Sequence, residues 1–314
     1  MKTFIKKTIF FLSIAVLLVL AISIGAYYIV KSQSSFKIDK NITKLVVGHS
    51  HSEHSVNDSI LKNSLNLSAS GESYFYNYQK LRKVVSANKH INTVFIEFTN
   101  NHVDSVMDEW IWGYDQMSFR LQYYGPFMDP EDFKILLKHN PTDLLSSYSV
   151  ATRKYLYRII GGDYYLIDEI GGYAYSKRSK VDEIIANNKF NVSISENHSL
   201  SEINLNYLRK MIEYCRERNI KVFLIRSPFH PLYDALSNEA VYQNVLKTQF
   251  SDVDLLDFST MDFPNNNYLD LQHLNYKGAK KFTTLFNDLI ENNILNSDHK
   301  QSLIDDRIKE SNKK

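Results

Sequence analysis

Five short apolar runs set the frame of this chain: Lys44–Val47, Ser64–Leu67, Thr93–Phe98, Ile220–Ile225 and Val253–Phe258. Each is rich in Val, Ile, Leu or Phe and too short for a buried helix, so each reads as a strand. Between them lie stretches of helical spacing: His51–Lys62, Ser73–Asn88 with Tyr74, Tyr78, Leu81 and Val84/Val85, and Leu200–Arg218. A last amphipathic helix spans about Asn275–Asn293, with Phe282, Leu285, Phe286 and Leu289 on its apolar face. Strands alternating with helices need right-handed crossovers, which predicts an α/β fold around a five-stranded parallel sheet. In such a sheet ligands bind beyond the carboxyl ends of the strands.

The amino-terminal segment obeys a different rule. Lys2, Lys6 and Lys7 precede a run from Thr8 to Val30 without one charged residue, and Lys31 closes it. Crossing a hydrocarbon core takes roughly 20 apolar residues. The run is longer than the apolar part of a cleaved signal peptide, and Ser23-Ile24-Gly25 is a poor cleavage site, so an uncleaved anchor is expected. Lysines on the amino side put the N-terminus in the cytoplasm and the rest outside, by the positive-inside rule. The organisation expected is an anchor over 1–31, a tether over 32–41, one domain over 42–295 and a loose charged tail over 296–314. Residues 102–198 interrupt the strand–helix rhythm and read as a mainly helical insertion after the third strand. Its aromatics, Trp110, Trp112, Tyr123, Tyr124, Tyr155 and Tyr157 among them, fit either a substrate platform or the insertion's own core.

Thirty-seven Lys plus Arg against 35 Asp plus Glu leave no basic field for nucleic acid. The single cysteine, Cys215, excludes an intrachain disulfide framework and any paired-cysteine metal site.

The chemistry gathers in two short strings. Gly48-His49-Ser50-His51-Ser52-Glu53-His54 follows the first strand, where a strand-to-helix turn exposes a hydroxyl near helix amides. A serine there is often a plain helix cap. As a nucleophile it needs a base, and the base needs an orienting partner. Asp270-Leu271-Gln272-His273, far downstream, supplies both within one turn.

These strings resemble the SGNH-hydrolase superfamily, particularly its membrane-anchored extracytoplasmic branch of DltD-type and alginate-acetylation-type O-acyltransferases. The resemblance spans roughly residues 42–290 and implies a three-layer α/β/α fold. It maps the nucleophile onto Ser50, the base onto His273 and its partner onto Asp270. It maps the oxyanion hole onto the amides of Ser50 and Gly71 and the side chain of Asn100, with Asn101 as the alternative. The glycine and aspartate expected around that asparagine are absent. What it implies is acyl-ester chemistry on a cell-surface polysaccharide, transfer or deacylation, without a cofactor and with a polytopic membrane acyltransferase as partner. His51, Arg226 and His230 are candidates for substrate binding.

Other readings stay open. The string His49-Ser50-His51-Ser52-Glu53-His54 approaches a zinc-ligating pattern of metallohydrolases. The same fold also serves as a non-catalytic glycan-binding or assembly subunit, or as a simple secreted esterase.

Overall fold

A computed structural model describes residues 1–187, 199–233 and 238–311. The stretch 188–198 of the expected insertion and the last three residues of the expected tail lie outside the described residues. The chain divides into two compact units, Met1–Phe36 with Trp112–Leu166 and Lys37–Ile111 with Ile167–Lys314.

The first unit is helical. Its opening helix, Lys2–Gln33, has a mean hydropathy of 2.8 and is long and apolar enough to cross a membrane. Near its end Ala26 and Val30 are buried, where it packs on the helix Pro141–Gly161. That helix and Pro130–His139 both begin with proline, whose missing N–H is harmless in a first turn. Between Trp112 and Leu166 the aromatics make a core of their own: Trp112 stacks on His139 at 3.8 Å, and buried Tyr155 donates to Leu121 O at 2.6 Å. The start of the expected tether is fastened to this unit, since Ser35 N–H donates to Tyr164 O and Phe36 packs edge-on against Phe127.

The second unit holds the sheet. Its strands are β1 (Lys44–Val47), β2 (Ser64–Asn66), β3 (Thr93–Glu97), β4 (Lys221–Arg226) and β5 (Leu255–Asp257). All neighbours are parallel, in the order β2-β1-β3-β4-β5. The chain leaves β1 toward β2 and returns to its other side as β3, so the crevice at a topological switch falls between the carboxyl ends of β1 and β3. The helix Tyr276–Glu291 drives Phe282, Phe286 and Leu289 into the core against Phe95, Phe258 and Leu256. Each such side chain contributes about 1.5–3 kcal/mol. Asn275 caps this helix, accepting from Lys277 N at 3.0 Å.

Two expectations need correction. The helix read over His51–Lys62 is one short helix, Ser50–Ser55. Asn57 and Asp58 end it by turning their carboxyl or amide oxygens to Ser59 N and Asn66 N, a local alternative that competes with helix. The residues read as a loose tail form the helix Lys300–Ser311, which buries Ile304 and Ile308 in the core. Gln301 of that helix accepts from Asp257 N at 2.9 Å and donates to Asp257 O at 2.8 Å, along the outer edge of β5. Two isoleucines spaced by four among six charged residues gave too weak a periodicity to read.

Candidate active site

The turn after β1 and the turn Asp270–His273, 223 residues apart for Ser50 and His273, meet at one rim of the sheet. His273 Nε2 lies 2.8 Å from Ser50 Oγ. Its Nδ1 lies 2.9 Å from Asp270 Oδ1 and 3.1 Å from Oδ2. A carboxylate accepts only, so Nδ1 carries the hydrogen and Nε2 is left to accept from the serine hydroxyl. Asp270 Oδ1 also receives the backbone N–H groups of Gln272 and His273, which fixes the turn. Burial raises the Asp270 pKa, and the hydrogen bonds and charge of His273 outweigh it, leaving the group below the ordinary value.

On the opposite side of Ser50 stands His49, whose Nδ1 is 3.2 Å from Ser50 Oγ and 3.3 Å from Glu97 Oε1. Glu97 ends β3 and is wholly buried; its Oε2 accepts from His49 N at 3.1 Å and Ser52 N at 2.7 Å. The sheet register Val47↔Ile96 carries Glu97 beside Gly48. A side chain at Gly48 would occupy the place of the Glu97 carboxylate, so this position has room only for glycine. The His49 ring stacks on His102 at 4.3 Å, and His102 stacks on Tyr74 at 4.4 Å.

His51 and His54 complete a run of imidazoles, their rings 5.3 Å and 5.1 Å from that of His273. Burial lowers the pKa of His49, His51, His54 and His102, and the charge of His273 adds to this for the first three. For His102 the added push comes from His49 and His51.

A cavity of about 360 Å³ opens at Ser50. Trp110, Met107, Val106 and Tyr233 give it apolar walls, while Asn101, Asp104, Asn238 and Gln272 add polar groups. None of these wall residues except Asn101 and Trp110 was singled out in the sequence, and Trp110 only as one aromatic among many. Trp110 also lies across Gly71, which sits at φ +66° with the indole where a side chain would be.

Several expected residues are placed elsewhere. Asn100 is buried, donating to Asn238 Oδ1 at 3.0 Å and Glu239 Oε2 at 2.8 Å and accepting from Arg226 at 2.5 Å. Its amide is therefore committed to this buried network, and of the two candidates Asn101 is the one that lines the cavity. Arg226 is itself buried in pairs with Glu239 and Asp257. His230 Nε2 meets Asn265 Oδ1 at 3.1 Å while its Nδ1 accepts from Leu232 N, which makes it a turn residue. His51 is 2% exposed and is not on the cavity wall. Arg226, His230 and His51 are thus buried and absent from the lining of the cavity at Ser50.

The zinc-like string is not gathered around one point: His51 and His54 turn toward His273, and Glu53 bonds Ser70. Among the described residues the grouping with ligand spacing is His49, Glu97 and His102, within 4.8 Å of one another. Its donor chemistry is wrong for a cation. Thr99 N–H donates to His102 Nδ1, so the His102 hydrogen resides on Nε2, the atom a metal would need. The His49 and His102 rings are also stacked 4.3 Å apart at 27°, so their in-plane lone pairs lie in separate, nearly parallel planes.

One protein-family model matches residues 173–295, under half of the chain, a span that includes β4, β5 and the Asp270–His273 turn. Among curated proteins none matches. Two solved structures align along most of the chain. One is a protein described as an acylhydrolase from Bacteroides fragilis, at 13% identity and TM-score 0.37, covering 84% of this chain and 93% of its own. The other is a GDSL-like lipase from Bacteroides thetaiotaomicron, at 11% identity and TM-score 0.35, covering 85% and 96%. Values this low assign neither fold nor activity.

Proposed function

We propose that this protein is a membrane-anchored serine acyl-ester enzyme of SGNH type, transferring or removing O-acyl groups on a cell-surface polysaccharide. The observation that carries the reading is the hydrogen-bonded line Ser50–His273–Asp270 at the mouth of a cavity. Ser50 Oγ attacks the acyl carbonyl as its proton passes to His273 Nε2, and Asp270 holds the ring and balances its charge. Collapse of the tetrahedral adduct expels the alcohol, which takes that proton. An acceptor hydroxyl or water then repeats the sequence on the acyl-enzyme. The backbone amides of Ser50 and Gly71 serve the oxyanion, with Asn101 taking the place the family resemblance gave to Asn100.

The apolar helix Lys2–Gln33 supports the anchor, and the lysines at its start support an N-terminus in the cytoplasm with the sheet unit outside. A polytopic membrane acyltransferase that delivers the acyl group fits this arrangement as partner.

The test is covalent labelling of the full chain in detergent with a fluorophosphonate probe, followed by peptide mapping. Label on Ser50 that disappears in His273→Ala supports the enzyme. Absence of label, with Ser50→Ala restoring cell-surface function in full, selects the binding-subunit reading instead.

A further inference from the structure

The nucleophile is flanked by two imidazole–carboxylate pairs, and the reaction above uses one of them. We infer that the second pair, His49 with Glu97, is part of the catalytic machinery: His49 Nδ1–H donates to Ser50 Oγ, and Glu97 is the positioning residue that keeps the hydrogen on Nδ1. The inference rests on the reading of Ser50 as nucleophile and deepens it.

The geometry assigns the hydrogen. Glu97 Oε2 receives two backbone N–H groups, from His49 and Ser52, which fixes the carboxylate and leaves Oε1 buried with no hydrogen-bond partner. Oε1 lies 3.3 Å from His49 Nδ1 without bonding it, and an acceptor oxygen at that distance favours the Nδ1–H form of the ring while leaving the hydrogen for another partner. From the same atom Ser50 Oγ is 3.2 Å away. The bond vector is held because the ring is clamped by its stack on His102 and by burial, His49 being 6% exposed.

A donor entering Ser50 Oγ from His49 leaves the serine's own hydrogen one good acceptor, His273 Nε2 at 2.8 Å. The hydroxyl is thus set in the productive direction before substrate arrives. As the Oγ–H proton moves to His273 and the new C–O bond forms, the His49 hydrogen stays on His49. It stabilises negative charge on Oγ on the way in, and again when the seryl oxygen departs in the second half-reaction. Burial lowers the His49 pKa against the opposing pull of Glu97, which favours the neutral ring as the donor beside His273.

Glu97→Gln separates this role from a structural one. The glutamine oxygen can keep the two backbone N–H bonds, while its amide nitrogen replaces Oε1 and donates to Nδ1. The His49 hydrogen then moves to Nε2, and Ser50 loses its donor although the packing is preserved. The rate of fluorophosphonate labelling at Ser50 in the full chain is expected to fall roughly ten- to hundred-fold in Glu97→Gln and in His49→Leu. The double variant falls no further than either single one, because both remove the same bond. His49→Asn, whose side-chain amide reaches about as far as Nδ1, regains most of the loss. Wild-type labelling rates in Glu97→Gln, or additive losses in the double variant, overturn the inference while leaving Ser50 as nucleophile. A wild-type chain that takes no label at Ser50 overturns both.

Discussion

The two imidazole–carboxylate pairs on either side of Ser50 are built in opposite ways. Asp270 and His273 are three residues apart in one turn, and both remain partly open, the Asp270 side chain at 31% exposure. His49 and Glu97 are 48 positions apart, joined only because β1 and β3 are neighbours in register, and the Glu97 side chain is at 0%. The outer pair is therefore cheap to form and weakly coupled to the fold. The inner pair ties the nucleophile's turn to the middle of the sheet.

The largest expected difference is in rate. His273→Ala should lower turnover of an aryl acetate by about 10⁴-fold or more, and Asp270→Asn by about 10³-fold through the wrong ring tautomer. Steady-state assays of the detergent-solubilised chain measure both. Comparable activity in His273→Ala would erase the distinction between the pairs.

Stability should rank them the other way. Glu97→Ala strands the His49 and Ser52 amides and leaves a cavity, a loss of about 3 kcal/mol. Asp270→Ala frees amides that water can reach, a loss of about 1 kcal/mol. Denaturant midpoints compare the two, and equal losses would contradict the burial contrast.

A pH titration of stability sharpens the same contrast. His49, His51, His54 and His102 have folded pKa values below the ordinary 6.5. As pH falls through about 6.5 the unfolded chain takes up protons that the folded chain refuses. Stability therefore declines below that point, by up to about 1.4 kcal/mol per pH unit for each histidine. Asp270, lowered in the folded state, adds stability above the ordinary carboxylate pKa and gives it up only below about pH 4. Midpoints that stay flat between pH 7 and 5 would rule out buried neutral imidazoles.

The smallest effect belongs to the wall of the cavity that opens at Ser50. Trp110→Ala should raise KM several-fold with kcat little changed, since the indole shapes the space without touching the reacting atoms. A matching fall in kcat would instead place Trp110 in the support of Gly71.

This contrast also marks what the sequence made legible. Asp270 and His273 stand out because a turn brings residues three apart together whatever the rest of the chain does. The five strands were readable for the same local reason, as short β-branched runs. Glu97 was read only as a strand residue, since its partner depends on which strand lies beside β3. Asn100 and Asn101 were not separable in the sequence because neighbouring residues in the short helix Asn100–Val103 meet different partners, and Arg226 bonds the first of them. The grouping of Trp112–Leu166 with the opening helix was equally invisible, being a matter of tertiary packing between distant segments.

The side chain of Gln301 is a plug for an open zipper. β5 ends the sheet, and the outward N–H and C=O of Asp257 would offer a docking rail to any extended peptide, including a copy of the same strand. A carboxamide mimics the peptide group it displaces, so the last helix acts as a guard against self-association as well as a cover for the core. A recombinant fragment trimmed at residue 295 would lose that guard, and it would be recovered as soluble aggregates rather than monomers.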